Sequence, residues 1–184
     1  EVKAQCPNAV VVYDLFHVVA KYGREVMDRV RVDQANQLRD DKVARKVIKS
    51  SRWILLRNAD NLEPEQAVKL DELLAANAFL TTVYVLKDQL KTLWFAESET
   101  TARSAWREWA GMALGSGIDA LVRFAKKLEP YMEGIVSSAL HRLNTSVLEG
   151  MNNRIKVIKR MAYGYRDTDY FFLKIRAAFP GKVR

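Results

Sequence analysis

The chain has 184 residues, 49% of them apolar, with one cysteine and two histidines. That is ample for one packed domain, and it excludes an internal disulfide and a Cys-rich zinc site and argues against a His-built metal cage. Thirty Lys and Arg stand against 22 Asp and Glu; residues 1–149 hold 21 bases and 20 acids, whereas residues 150–184 hold nine bases and two acids, a local excess that suits a polyanion.

In chain order, Glu1-Val2-Lys3-Ala4-Gln5 does not read as a signal peptide, and no apolar run approaches the ~18–20 residues of a membrane span. A cytoplasmic setting with no membrane partner is expected. Ala9-Val10-Val11-Val12-Tyr13 is a β-branched run ending at Asp14, and predicts a buried strand. The period then changes: Phe16, Val19, Val26 and Val30 predict a helix over Leu15–Val32, weakened at Gly23. A helix follows over Asp41–Lys49, with Val43, Val47 and Ile48 opposite Lys42, Arg45, Lys46 and Lys49. No acid lies between Lys42 and Ala59. Trp53-Ile54-Leu55-Leu56 is short and apolar, and predicts a second buried strand.

Beyond Asn58 the signals are helical. Pro64 suits the first position of a helix to Ala76. Further helices are predicted over Phe79–Ala96, Thr101–Leu114 and Ile118–Ala139, the last broken at Pro130. Trp94, Phe95, Trp106 and Trp109 read as the core of this block. The chain closes with a helix over Ser146–Met161, a turn over Tyr163-Gly164-Tyr165-Arg166 with Gly164 left-handed, and a helix over Asp167–Phe179.

Two acids stand out. Asp14 is a natural N-cap, and its setting at the end of a predicted strand also suits a ligand for a hard cation. Glu149 completes a capping box with Ser146. Yet Glu149, Asn152, Asn153 and Lys156 share one helical face, and Arg154, Lys159 and Arg160 follow. An acid, two amides and then bases suit a metal–phosphate site with DNA along the helix. His17 and Asn153 are supporting candidates beside the two acids, although a packed histidine is the better reading of His17.

The run Pro7-Asn8-Ala9-Val10-Val11-Val12-Tyr13-Asp14-Leu15-Phe16-His17-Val18-Val19 resembles the second-aspartate segment of DDE transposases of bacterial insertion sequences, in the ISL-three branch. Leu148-Glu149-Gly150-Met151-Asn152-Asn153-Arg154-Ile155-Lys156 resembles the final-glutamate segment. Lys159-Arg160-Met161-Ala162-Tyr163-Gly164-Tyr165-Arg166 resembles the basic and aromatic stretch after it. The resemblance spans essentially the whole chain. It implies a mostly α fold with a few core strands: an incomplete ribonuclease H-like core interrupted by an all-helical insertion. Residues 1–57 would be partial core, 58–140 the insertion, and 141–184 the returning helix and basic C-terminal helix.

The resemblance further implies metal-dependent DNA cleavage and strand transfer. Asp14 and Glu149 would be catalytic acids holding two Mg²⁺ or Mn²⁺ ions. Asn152, Lys156, Lys159, Arg160 and Arg166 would contact the DNA of transposon ends and target. Self-association in a synaptic complex is expected. The family's first aspartate lies upstream, and no segment here matches it, so this chain alone is expected to be inactive. Two alternatives stay open: a non-catalytic helical DNA-binding or interaction module, and a tyrosine recombinase using Tyr163 or Tyr165, for which the Arg/His constellation is not evident.

Overall fold

The computed structural model describes residues 2–141 and 146–180, with side chains from Ala4 to His141 and from Glu149 to Pro180. The chain divides into two compact units, Glu1–Arg142 and Leu143–Arg184. In the first, α1 (Val2–Gln5) precedes an extended segment. Then come α2 (Leu15–Tyr22), a π-helical turn (Gly23–Met27) and α3 (Asp28–Gln37), followed by α4 (Lys42–Ser50) and α5 (Arg52–Leu56). The remainder is α6 (Pro64–Ala76), α7 (Ala78–Thr92), α8 (Glu99–Gly115), α9 (Asp119–Leu128) and α10 (Met132–Leu140). The second unit holds α11 (Ser146–Met161) and α12 (Thr168–Ala178).

Local chemistry explains the helix boundaries. Asp41, Asn77, Ser98 and Asp167 each accept hydrogen bonds from amides in the first turn of the helix that follows. These caps satisfy donors that otherwise lack an intrahelical partner. Pro64 opens α6, where its missing N–H costs nothing. Pro130 lies in a 3₁₀ turn, Glu129–Tyr131, that separates α9 from α10.

One apolar cluster unites the first unit. Tyr22, Val26, Met27 and Val30 meet Leu80, Val83 and Leu90 of α7, Trp106 and Trp109 of α8, and Leu121 and Phe124 of α9. Several buried polar groups are paired across elements, although Arg45 Nε, Tyr84 Oη and Gln89 Oε1 are buried without a hydrogen-bond partner among the described residues. Tyr22 Oη donates to the Val83 carbonyl at 2.8 Å, and Trp109 Nε1 donates to that of Leu86 at 2.9 Å. The fully buried Lys87 ammonium donates to the Leu55 and Arg57 carbonyls at 2.9 and 3.2 Å and sits over the Tyr84 ring. It thereby caps the C-terminal end of α5, where carbonyls lack partners. Trp94, Trp106 and Trp109 are core residues as expected, whereas Phe95 is exposed.

The expectation of core strands, and with it an α/β ribonuclease H-like core, is not met: among the described residues there is no strand. Val10–Tyr13 forms neither helix nor strand and has no strand to form a ladder with among the described residues. The Tyr13 backbone bonds instead to Gly134 and Ser138 of α10 and to the Trp94 side chain. Trp53–Leu56 lies in helix α5. Ser51 stays in the right-handed region (φ −77°, ψ −1°), so helical pairing resumes with the Leu55 amide donating to the Ser51 carbonyl at 3.0 Å. A run of four apolar residues does not distinguish strand from helix, and here burial at Ile48 and Leu55, seven apart, follows the helical period.

Candidate active site and nucleic-acid interface

Asp14 sits where the extended segment meets α2. It is the N-cap of that helix, with Oδ1 accepting from the Phe16 amide at 2.7 Å. Its Oδ2 lies 3.4 Å from His17 Nδ1, and its side chain is 19% exposed. The cap and the pairing with His17 orient the carboxylate together.

The segment before Asp14 is fastened from three sides. The Tyr13 amide donates to Ser138 Oγ at 2.6 Å and to the Gly134 carbonyl at 3.3 Å. The Tyr13 carbonyl accepts from Trp94 Nε1 at 2.9 Å and lies 2.7 Å from Ser138 Oγ. The Tyr13 ring packs edge-on to Tyr131, with centroids 5.4 Å apart, and lies directly against Gly134. Asp14, His17 and Lys21 then line a cavity of about 410 Å³ walled by Val12, Val18, Leu128 and Tyr131. Trp94, Gly134 and Ser138 are positioning residues that sequence reading missed. Trp94 reads as core, and a Gly and a Ser on a helix carry no signal until the extended segment is seen lying on them.

In the second unit α11 is exposed on most sides. Glu149, Asn152, Asn153, Lys156, Lys159 and Arg160 are all exposed. Ile155 and Ile158 on the other side are half-buried, but Met151 is exposed, so the apolar stripe is narrower than its periodicity suggests. Leu148 and the proposed capping partner Ser146 have side chains outside the described residues. Lys156, Lys159 and Arg160 converge, with Met161, Tyr163 and Gly164, on one open depression of about 820 Å³. Arg166 is exposed in the following turn but does not line it. Among the described residues none of these four bases forms an ion pair. Asp167 is engaged in capping α12.

The end of α11 differs in detail from expectation. The Gly164 amide donates to the Lys159 carbonyl and the Tyr163 amide to that of Arg160, both at 3.0 Å. These two bonds define a Schellman ending, in which the first residue past the helix is left-handed. That residue is Tyr163, with φ 52°; Gly164 follows with φ 101°. Tyr163 is also fully exposed. Tyr165 turns back to stack on Phe171 at 4.8 Å, and Arg154 lies over Phe179, tying α11 to α12.

Among the described residues no group of three or more His, Cys, Asp or Glu is placed to hold a metal ion. Asp14 lies in the first unit and Glu149 in the second. No helix among the described residues is long and apolar enough to cross a membrane.

A family profile described as transposase matches residues 1–175. The chain is 65% identical over its whole length to the transposase for insertion sequence element IS1001 of Bordetella parapertussis, covering 45% of that protein. It is 25% identical, over 90% of its length, to the transposase for insertion sequence element IS1557 of Mycobacterium tuberculosis, covering 41% of that protein. The chain thus spans less than half the length of these curated relatives. No solved structure matches it significantly. By the near-complete profile match and the identity across all 184 residues, the chain belongs to the ISL-three family of insertion-sequence transposases.

Proposed function

We propose that this chain carries two metal-binding carboxylates of a DDE transposase, Asp14 and Glu149, together with a phosphate-contacting track on α11 and the turn after it. The observation that carries the reading is the exposed face of α11. There one acid and two amides lead into Lys156, Lys159 and Arg160, three bases converging on one depression with no described ion pair. Such a face lacks the mixed charges of a merely solvated helix and matches a polyanion.

The roles follow from position. Asp14 would present a carboxylate oxygen to a divalent cation while its N-cap bond keeps it oriented. His17, at 3.4 Å, would hold the other oxygen. Glu149 would supply a second carboxylate. Asn152, Lys156, Lys159, Arg160 and Arg166 would hold DNA phosphates, and Asn153 would orient Glu149 from the next position of the same face. Mg²⁺ or Mn²⁺, when bound, supplies Lewis-acid stabilisation of the attacking and leaving oxygens at phosphorus. Cleavage of an element end and joining to target DNA would then belong to the full-length protein. The 184-residue chain alone would be inactive, because two carboxylates do not hold two ions in productive geometry.

The test uses Asp14→Asn and Glu149→Gln in the full-length transposase. Asn caps a helix as well as Asp, and Glu149 is exposed, so thermal unfolding should be unchanged while strand cleavage in Mg²⁺ or Mn²⁺ is lost. Retained cleavage in either variant would overturn its assignment. Cleavage by the 184-residue chain that disappears with Glu149→Gln would overturn the expectation of inactivity.

A further inference from the structure

Helices α4 and α5 form a basic ridge that this function does not use. Ser51 between them keeps a right-handed conformation, so the helical period carries across. Lys42, Lys46, Lys49 and Trp53 then fall at i, i+4, i+7 and i+11, one stripe about 16 Å long at 1.5 Å per residue. The opposite side is anchored: Ile48 and Leu55 are buried, and Arg31 Nη1 donates to the Lys49 carbonyl at 2.9 Å.

Lys42, Lys46 and Lys49 are exposed and form no ion pair among the described residues. Asp41, the nearest acid, is taken up in capping α4 through the Val43 and Ala44 amides. Trp53 is 67% exposed, whereas Trp94, Trp106 and Trp109 are buried. The Arg52 guanidinium lies 5.3 Å from the Trp53 ring centroid and is itself held by Asp28 at 3.3 Å. A large indole braced by an arginine thus stands in solvent beside three lysines that form no ion pair among the described residues.

We propose that this ridge binds single-stranded DNA, with Lys42, Lys46 and Lys49 on its phosphates and an unpaired base stacked on Trp53. The choice of strand rests on the indole. In a duplex the base faces are already stacked on one another, so an exposed ring gains a partner only from a base outside a helix. Lysines tracking a backbone beside an aromatic platform are the general solution for single strands. The inference rests on the chain belonging to a DNA-acting family, but not on the α11 track.

Trp53 also provides the readout, since it is the exposed tryptophan of the four. The 184-residue chain is titrated at low salt with an oligothymidylate, with a duplex of the same length, and with phosphatidylserine vesicles, following tryptophan emission. The oligothymidylate should quench the red-shifted emission, and Trp53→Phe should abolish the quench while keeping most of the affinity. Trp53→Ala should weaken single-strand binding about tenfold, within the range for one base–aromatic stack, and leave duplex binding within about twofold. Lys46→Ala with Lys49→Ala should lower the single-strand salt slope by about 1.4, at ~0.7 per phosphate contact. Both sites are exposed, so unchanged circular dichroism is expected in each variant.

Absence of quenching by the oligothymidylate, equal quenching by duplex, or preferential quenching by vesicles would each overturn the proposal. The pair Lys156→Ala with Lys159→Ala separates the two readings. If it loses duplex binding and keeps the quench, both surfaces stand. If wild-type chain shows the quench but no duplex binding, the α11 track fails and the ridge stands.

Discussion

Replacing Gly134 by Ala should destabilise the protein, although Ala is the better helix former. The substitution gains at most about 1 kcal/mol of helix propensity, since Gly134 lies in the first turn of α10. Its new Cβ would sit 2.5 Å from Tyr13 Cδ2, closer still to Cε2, and 3.3 Å from the Val11 carbonyl oxygen. The ring has to leave. Leaving breaks the edge contact with Tyr131, about 0.5–1.5 kcal/mol, and strains the bonds from the Tyr13 amide to Ser138 and from Trp94 to the Tyr13 carbonyl, about 1 kcal/mol each. The net expectation is a loss of about 1.5–2.5 kcal/mol, read as an earlier midpoint in urea unfolding. Removing the ring first should relieve the clash. Gly134→Ala in a Tyr13→Ala background should therefore cost at least 1 kcal/mol less than in wild type, well beyond the ~0.5 kcal/mol scatter of independent sites. A stabilising Gly134→Ala, or strict additivity with Tyr13→Ala, would refute the view that this contact sets the path into Asp14.

Burial pushes the Lys87 ammonium down to about 8 from its ordinary 10.5. Its folded value lies below its unfolded one, so the folded state releases the proton first and stability rises with pH above 8. Up to pH 10 the gain is at most about 2.7 kcal/mol; beyond that, the raised hydroxyl values of Tyr22 and Tyr84, due chiefly to burial, act in the opposite sense. Denaturation of Lys87→Met against pH should lack this rise, and an identical profile would show that Lys87 does not titrate in the window. Tyr163→Gly should stabilise the α11 ending by about 0.5–1 kcal/mol, because glycine occupies the left-handed region without steric cost; a lower thermal midpoint would contradict the Schellman geometry. Lys156→Ala and Lys159→Ala should each reduce the duplex salt slope by about one and leave sequence preference intact, and unchanged slopes in both would make the α11 bases ordinary surface charge.

The helices were legible because their signals are local. The Pro64 start, the Pro130 break, the Asp41 cap and the 3.6-residue spacing of Val26 and Val30 need only neighbouring residues. The strands were misread because a strand is defined by its partner. Val10–Tyr13 has the composition of a buried strand, but the Tyr13 backbone bonds go to Trp94, Gly134 and Ser138, 81 or more residues away, and nothing near it in sequence announces them. Trp53–Leu56 was misjudged on length, since its helix is propagated from α4 through Ser51. Asp14 and Glu149 stood out through their flanking motifs. Trp94, Gly134 and Ser138 did not, because their task is to receive a segment distant in the chain.

The π turn between α2 and α3 takes up slack. The Asp28 amide bonds back to the Gly23 carbonyl, five residues earlier, so this stretch holds one residue more than an α-helical turn would. Five residues closed in this way cover about the angle that four cover in an α-helix, so the extra residue does not turn α2 against α3. Deleting the exposed Arg24 would let the ladder close in the ordinary way and leave Val18 and Tyr22 facing the core. The turn works as a spare link: it can give back one residue, about 15 Å down the helix from Asp14, without changing the bearing of that carboxylate. A single-residue deletion elsewhere between Leu15 and Gln37 would rotate the upstream part by about 100° and should be far less tolerated than one inside the π turn.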